Sequence, residues 1–245
     1  MTDKLRWGIL STAGINGGLM GPMRVAPRSE LAAVASRTTE KAEAYAAEHD
    51  IPKAYGSYDA LLADPDIDAV YVSLPTWMHS EWSVKAADAG KHVLCEKAMV
   101  ISLAELDAIE AAASRNNVTI FEAYAYLHHP QWHRIMAMIE AGELGKLRSL
   151  DGACCFYMSE EHDNVRLHTG GGGGAMWDVG VYPMTQAIVV NGGPPVEVWA
   201  HQVKGKRGVD VSFSGQMLFD NDVVAHITAG LQSPRRQSLL VVGVD

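Results

Sequence analysis

The sequence predicts an α/β unit built on a parallel, doubly wound sheet, followed by an α+β unit with a mainly antiparallel sheet. Three observations carry that expectation. Apolar strand-like runs alternate with helical segments through the first half, the pattern changes near residue 123 to closely spaced strands, and a turn of small residues follows the first strand. Alternation of this kind requires crossover connections and a parallel sheet, whereas successive strands pair antiparallel.

In chain order, the first strand is residues 5–10, LRWGIL, and the second is 30–36, ELAAVAS. Residues 38–49 and 57–64 read as helices before the third strand, 68–74, DAVYVSL. Thr76 is the expected N-cap of a helix over 77–90, with Gly90 at its C-terminal end. The fourth strand is 92–96, HVLCE, and Ser102 with Glu105 has the spacing of a capping box for a helix over 102–117. Residues 118–123, VTIFEA, close the first unit. We place the domain boundary between 1–122 and 123–245. The second unit opens with a helix over 130–146. Strands follow over 147–158, 196–203, 209–219, 223–231 and 238–244, and in the third of these Val209, Val211 and Phe213 share one face by period-two alternation. The last strand lies at the very end of the sequence, as an edge or as the cut end of a shortened unit.

Composition narrows the function classes. The 245 residues are 48% hydrophobic and 20% charged, with a formal net charge of −9. No basic stripe marks a nucleic-acid surface, and no apolar run approaches the roughly 18 residues of a membrane span. The N-terminus enters a strand almost at once, leaving no room for a signal peptide. The three cysteines show neither paired nor metal-ligand spacing. A cytoplasmic protein with reduced thiols and no metal site is the expectation.

An open parallel sheet binds ligands beyond the carboxyl ends of its strands. The first such turn contains Gly8, Ser11, Thr12, Ala13, Gly14 and Ile15. Small residues there let backbone N–H groups and a helix N-terminus approach a pyrophosphate, although the run does not spell GxGxxG. The second strand ends in Ser36 and Arg37 with no acid, and a hydroxyl with a guanidinium suits a 2′-phosphate. NADP is therefore expected, with NAD as the alternative. A tight turn without a ligand and a surface arginine are the plainer readings of the same residues.

Four stretches resemble one family. RWGILSTAGIN, SLPTWMHSEW, HVLCEKAMV and GGGGGAMWDVGVYPM are similar to the glucose–fructose oxidoreductase/inositol dehydrogenase (Gfo/Idh/MocA) family, in particular its dihydrodiol and xylose dehydrogenase branch. The resemblance implies a Rossmann domain, then an open-faced sheet that forms the substrate pocket and a homo-oligomer contact. It implies that Lys97 lies beside the nicotinamide and the substrate oxygen, and it matches Asp178 and Tyr182 to the family's second motif. Leu74, Pro75, Thr76, His79, Glu96 and Trp177 fall in cofactor-contacting segments, although His79 reads equally well as a helix-surface histidine. Ala98 stands where the family has proline, which predicts a looser turn under Lys97. Ser11 and Ala13 replace two usual glycines, and the chain is shorter than most members, which would bare a sheet edge.

The chemistry of these residue types agrees. Oxidising an alcohol removes a hydroxyl proton as hydride leaves the same carbon. A tyrosine, ordinarily near a pKa of ~10, takes that proton more readily beside an ammonium. Lys97 and Tyr182 are the expected proton-handling pair, with Asp178 orienting the lysine or a second hydroxyl; an N-cap is the plainer reading of Asp178. The glycine run 170–174 reads as a tight, mobile passage over the pocket, or as a plain linker. Asn164 and Arg166 are expected at substrate hydroxyls, or as loop polar groups. The expected function is NADP-preferring transfer of hydride to or from a secondary alcohol or ketone in a sugar, polyol or cyclic diol. The alternatives are a catalytically silent dinucleotide sensor and an NAD-using inositol-type dehydrogenase.

Overall fold

A computed structural model describes residues 4–161 and 163–244. The chain divides into two compact units, 1–123 and 124–245.

The first unit holds a sheet in the order β3-β2-β1-β4-β5-β6, every neighbouring pair parallel. Its strands are β1 (Leu5–Leu10), β2 (Ser29–Ala35), β3 (Lys53–Tyr55), β4 (Ala69–Val72), β5 (His92–Cys95) and β6 (Ile120–Glu122). Helices α1 (Gly17–Val25), α2 (Thr39–Glu48), α3 (Tyr58–Leu62), α4 (His79–Asp88) and α5 (Leu103–Asn116) follow the first five strands in turn. Successive side chains of a strand point to opposite faces. Leu10, Val70 and Val72 accordingly pack with Trp82 and Ala86 in one cluster. Ile9, Val34 and Tyr71 pack with Met20 and Met23 in another. Covering both faces makes the strands continuous apolar runs, and the order reverses between β1 and β4.

The sequence reading missed β3, which is three residues long and too short to show a period. It also misplaced the start of α4. Thr76 opens a 3₁₀ turn, Thr76–Met78, and α4 begins at His79 with no side-chain cap at its N-terminus. Ser102 does cap α5, its hydroxyl accepting from the Glu105 amide, while Glu105 reaches back to the amide of Ile101.

Charges tie β3 to the loop before β4. Lys53 Nζ donates to Asp64 and Asp66, each over 2.9 Å, and the Tyr55 hydroxyl donates to Asp64 over 2.5 Å. These bonds hold the Asp64 carboxyl at about 2, below its ordinary 3.8, the Tyr55 hydroxyl contributing most.

The second unit holds a sheet in the order β11-β7-β10-β9-β8, antiparallel except for the parallel β7–β10 pair. Its strands are β7 (Ser149–Tyr157), β8 (Glu197–Lys204), β9 (Asp210–Leu218), β10 (Val224–Gly230) and β11 (Gln232–Val242). Trp132 of α6 (Pro130–Glu140) and Ala187 and Val190 of α7 (Val181–Asn191) cover one face, packing on Leu150, Met217 and Ile227. The other face is open: Trp199, Gln216 and His226 lie side by side and exposed. Helix α6 stops at Glu140, short of the expected 146, and Gly142 follows at φ +73°. Such a positive φ suits glycine and ends a helix.

Candidate active site

The nucleotide turn lies where β1 leaves the sheet. Ser11 is buried with φ +140°, a backbone region that costs a non-glycine residue energy. Its side chain offsets this, lying 2.8 Å from Ser73 Oγ and accepting from the Ala13 amide over 3.1 Å. Asn16, fully buried, completes the lock. Its Nδ2 donates to the Ser11 carbonyl and to the Tyr45 hydroxyl, and its Oδ1 accepts from Ser73 Oγ over 2.6 Å. Sequence reasoning missed Asn16, because a buried asparagine declares itself only through partners 29 and 57 residues away.

Beyond the lock the turn is open. Ile15 is 56% exposed, and side-chain space at Gly14, Gly17 and Gly18 holds no protein atom within 4 Å. Together with the N-terminus of α1, this is room for a phosphate chain to approach backbone. Gly8 corrects the expectation: it is buried within β1, and a Cβ there would stand 2.6 Å from Leu61 Cδ2, so its smallness serves strand–helix packing. At the end of β2, Ser36 is buried and donates its amide to the Tyr55 carbonyl. Arg37 is exposed, and Thr38 accepts from the Lys41 amide to cap α2. A basic and hydroxyl-bearing strand end without an acid fits a phosphorylated ribose.

The residues around Lys97 converge within the same unit. Cys95 ends β5 and Glu122 ends β6, paired in register. Glu96 accepts from the Tyr71 hydroxyl over 2.5 Å and from the Lys97 amide over 3.3 Å. The Lys97–Ala98 peptide is cis. Ala98 is 5% exposed, and the Met99 amide donates to Glu122 Oε1 over 2.8 Å. Burial raises the Glu122 carboxyl, and the neighbouring Glu96 charge adds to it.

His79 departs most from expectation. It is neither on the helix surface nor open to a ligand: the ring is 1% exposed, with Nδ1 2.8 Å from the Ala98 carbonyl and Nε2 2.7 Å from the Leu74 carbonyl. Burial pushes the imidazole below its ordinary value, against the pull of the two carbonyls. Leu74 is buried, and Pro75 and Thr76 are half-buried. Cys95 is inert, its thiol pushed far up by burial.

The remaining candidates lie in the second unit. Asp178 sits in a π-helical turn, Met176–Gly180, that runs directly into α7. Its amide donates to the Gly174 carbonyl, so a helical turn is already under way and the N-cap reading is set aside. Such wide turns recur at functional sites. Arg166 Nε donates to Asp178 Oδ2 over 2.7 Å. Asn164 caps the short turn 165–167, its Oδ1 accepting from the Arg166 amide, so it is a capping group that presents Arg166. Tyr182, in the first turn of α7, stands edge-on to Tyr124 and Tyr126 at 5.9 and 6.3 Å between ring centres. Trp177 is half-buried in the π turn.

The end of the glycine run, Gly173 and Gly174, is packed. The Gly174 amide donates to the Arg166 carbonyl over 2.8 Å. Gly174 has φ +100° and lies against Asp210 Oδ1, while Gly173 lies against the His168 carbonyl. Asp210, 8% exposed, accepts from the Met176 amide over 2.8 Å, anchoring the π turn to β9.

Comparison with known proteins gives a consistent picture. The family described as "Oxidoreductase family, NAD-binding Rossmann fold" matches residues 5–124, and "GFO/IDH/MocA C-terminal domain" matches 132–245. A D-xylose 1-dehydrogenase (NADP(+)) of Haloferax volcanii is 37% identical over 98% of this chain and 74% of its own length. A dTDP-3,4-didehydro-2,6-dideoxy-alpha-D-glucose 3-reductase of Saccharopolyspora spinosa is 36% identical over 94% of this chain and 69% of its own. A 3-ketoreductase of Actinomadura kijaniata, solved with NADP and TDP-benzene, superposes with a TM-score of 0.90 at 30% identity, covering 98% of this chain and 74% of that one.

Proposed function

The chain belongs to the Gfo/Idh/MocA oxidoreductase family, and from that premise we propose that it interconverts a secondary alcohol and a ketone on a sugar or cyclic diol, with NADP as cofactor. The observation that carries this reading is the prepared nucleotide turn: a locked Ser11–Asn16 segment, open space at Gly14, Gly17 and Gly18, and an exposed Arg37 in place of an acid. Ser11, Thr12, Ala13 and Gly14 with the N-terminus of α1 would hold the pyrophosphate. Arg37, exposed beside the buried Ser36, would hold the 2′-phosphate. Relatives named for NADP and for sugar oxidation or reduction support both halves of the proposal.

When bound, the nicotinamide donates or accepts the hydride. In our proposal Lys97 donates a hydrogen bond to the reacting oxygen and favours the phenolate of Tyr182, which takes the hydroxyl proton during oxidation and returns it during reduction. Support for Lys97 comes from its place just past β5, at the carboxyl edge where open α/β sheets bind ligands. Support for Tyr182 comes from its aromatic surround, which restricts the ring. Asp178, held by Arg166, would accept from a second substrate hydroxyl.

Two further proposals accompany the reaction. The open sheet face, with Trp199 63% and Leu240 59% exposed, would pair with a second copy of the chain. A cytoplasmic site of action suits the free thiols of Cys95 and Cys155, and no helix among the described residues is long and apolar enough to cross a membrane. The test of function is direct. Nicotinamide absorbance is followed as NADP meets a panel of aldoses, polyols and dihydrodiols, with the reverse reaction run on ketones. Turnover on a member of this panel is expected. Tight NADP binding with no turnover would leave only a dinucleotide sensor.

A further inference from the structure

Lys97 is held through its backbone. A long, flexible side chain can be aimed only as well as the backbone that carries it, and three backbone polar groups around Lys97, one on the peptide before it and two on the Ala98–Met99 peptide, are each engaged by a different side chain. Its own amide meets Glu96 Oε2 at 3.3 Å, the Ala98 carbonyl faces His79 Nδ1 at 2.8 Å, and the Met99 amide donates to Glu122 Oε1 over 2.8 Å. The outer two contacts come from separate elements, the start of α4 and the end of β6. His79 is 1% exposed, and its second nitrogen faces the Leu74 carbonyl at the exit of β4.

We infer that His79 and Glu122 are positioning residues, which clamp the Lys97–Met99 segment from two sides and so fix where the Lys97 ammonium is presented. The inference rests on the reading that Lys97 acts on the substrate oxygen. A neutral imidazole carries one N–H, so the ring donates to one carbonyl, and imidazolium donates to both. The contact that matters for Lys97 is the Nδ1–H bond to the Ala98 carbonyl, which the Nδ1–H tautomer and the imidazolium make; the imidazolium also donates from Nε2 to Leu74 at the β4 exit.

That division gives a sharp test. An asparagine amide reaches about as far as Nδ1, and a glutamine amide about as far as Nε2. His79→Asn therefore keeps a donor for Ala98, while His79→Gln keeps one for Leu74. Displacing a reacting group by about 1 Å costs on the order of a hundredfold in rate. His79→Gln and Glu122→Ala are expected to lower kcat by about that factor with the NADP dissociation constant little changed. His79→Asn and Glu122→Gln, whose amide oxygen still accepts from Met99, are expected to recover most of the loss.

The second readout needs no turnover. The rate at which Lys97 reacts with an amine-directed reagent is followed against pH by peptide mass spectrometry. Its midpoint is expected to shift in His79→Gln and Glu122→Ala and to return in the two conservative variants. Equal behaviour of His79→Asn and His79→Gln in both readouts overturns the clamp, as does unchanged Lys97 reactivity in folded Glu122→Ala. If the wild type turns over no substrate, the enzymatic reading fails and the labelling profile alone decides the clamp. If His79→Gln does not fold, the Glu122 pair decides it.

Discussion

Arg166 and Asp178, twelve residues apart, form an ion pair at 2.7 Å in which the carboxylate is only 10% exposed. The two were expected at a substrate and at the chemistry respectively, and the structure joins them. The guanidinium is itself 41% exposed and stands over the Phe156 ring at 5.9 Å, so it aims Asp178 without burying the pair completely.

Removing that guanidinium takes a charged partner from a nearly buried carboxylate. Arg166→Ala is expected to cost about 1–3 kcal/mol in urea unfolding and to raise KM more than it lowers kcat. Arg166→Lys should not restore the wild type, because a lysine cannot reproduce the planar Nε contact.

Lys97→Ala and Tyr182→Phe remove the proposed proton handlers. Each should lower kcat by about 10²–10⁴, while NADP affinity, read by fluorescence titration, stays within severalfold. The double variant should be little worse than the worse single one if the two act as a unit.

Arg37 should discriminate between cofactors. Arg37→Ala is expected to weaken NADP by about 1.5–3 kcal/mol, the range of a hydrogen bond to a charged group, and to leave NAD nearly unchanged. Equal NADP affinity in variant and wild type would remove the assignment to the 2′-phosphate.

At Gly174 a side chain has nowhere to go. The φ of +100° is strained for any other residue, and Asp210 occupies the space. Gly174→Ala is expected to lose about 2–5 kcal/mol, seen as a lower denaturation midpoint and a loss of activity together.

Acid should act through Asp64. Its folded carboxyl, at about 2 against an ordinary 3.8, binds its proton less readily than in the unfolded chain. The stability it contributes is therefore complete above about pH 4 and is lost as pH falls toward 2. Asp64→Asn should be less stable than the wild type near neutrality, with a flatter profile over that window.

The parallel sheet was legible because strands covered on both faces must be apolar throughout, as at AVYV in β4. The three residues of β3 carry no such signature; their place comes from pairing with Ala33–Ala35. In the site, residue types that carry chemistry, such as Lys97, Tyr182 and Asp178, stand out in a sequence. The backbone groups that such side chains meet do not. His79 meets a carbonyl 19 positions away, Glu122 meets an amide 23 positions away, and nothing in local spacing points to either partner. The glycine run reads as a tight passage, while what requires Gly174, the side chain of Asp210, lies in another strand.

The Ser11–Ser73–Asn16–Tyr45 bonds leave the nucleotide loop rigid before any ligand arrives. A receptor shaped in advance sacrifices little freedom on capture, so NADP association should show a modest entropic penalty and near-rigid docking kinetics. It follows that Ser73 and Tyr45, chosen by no motif, are places where an inherited change would surface first as a weakened grip on coenzyme.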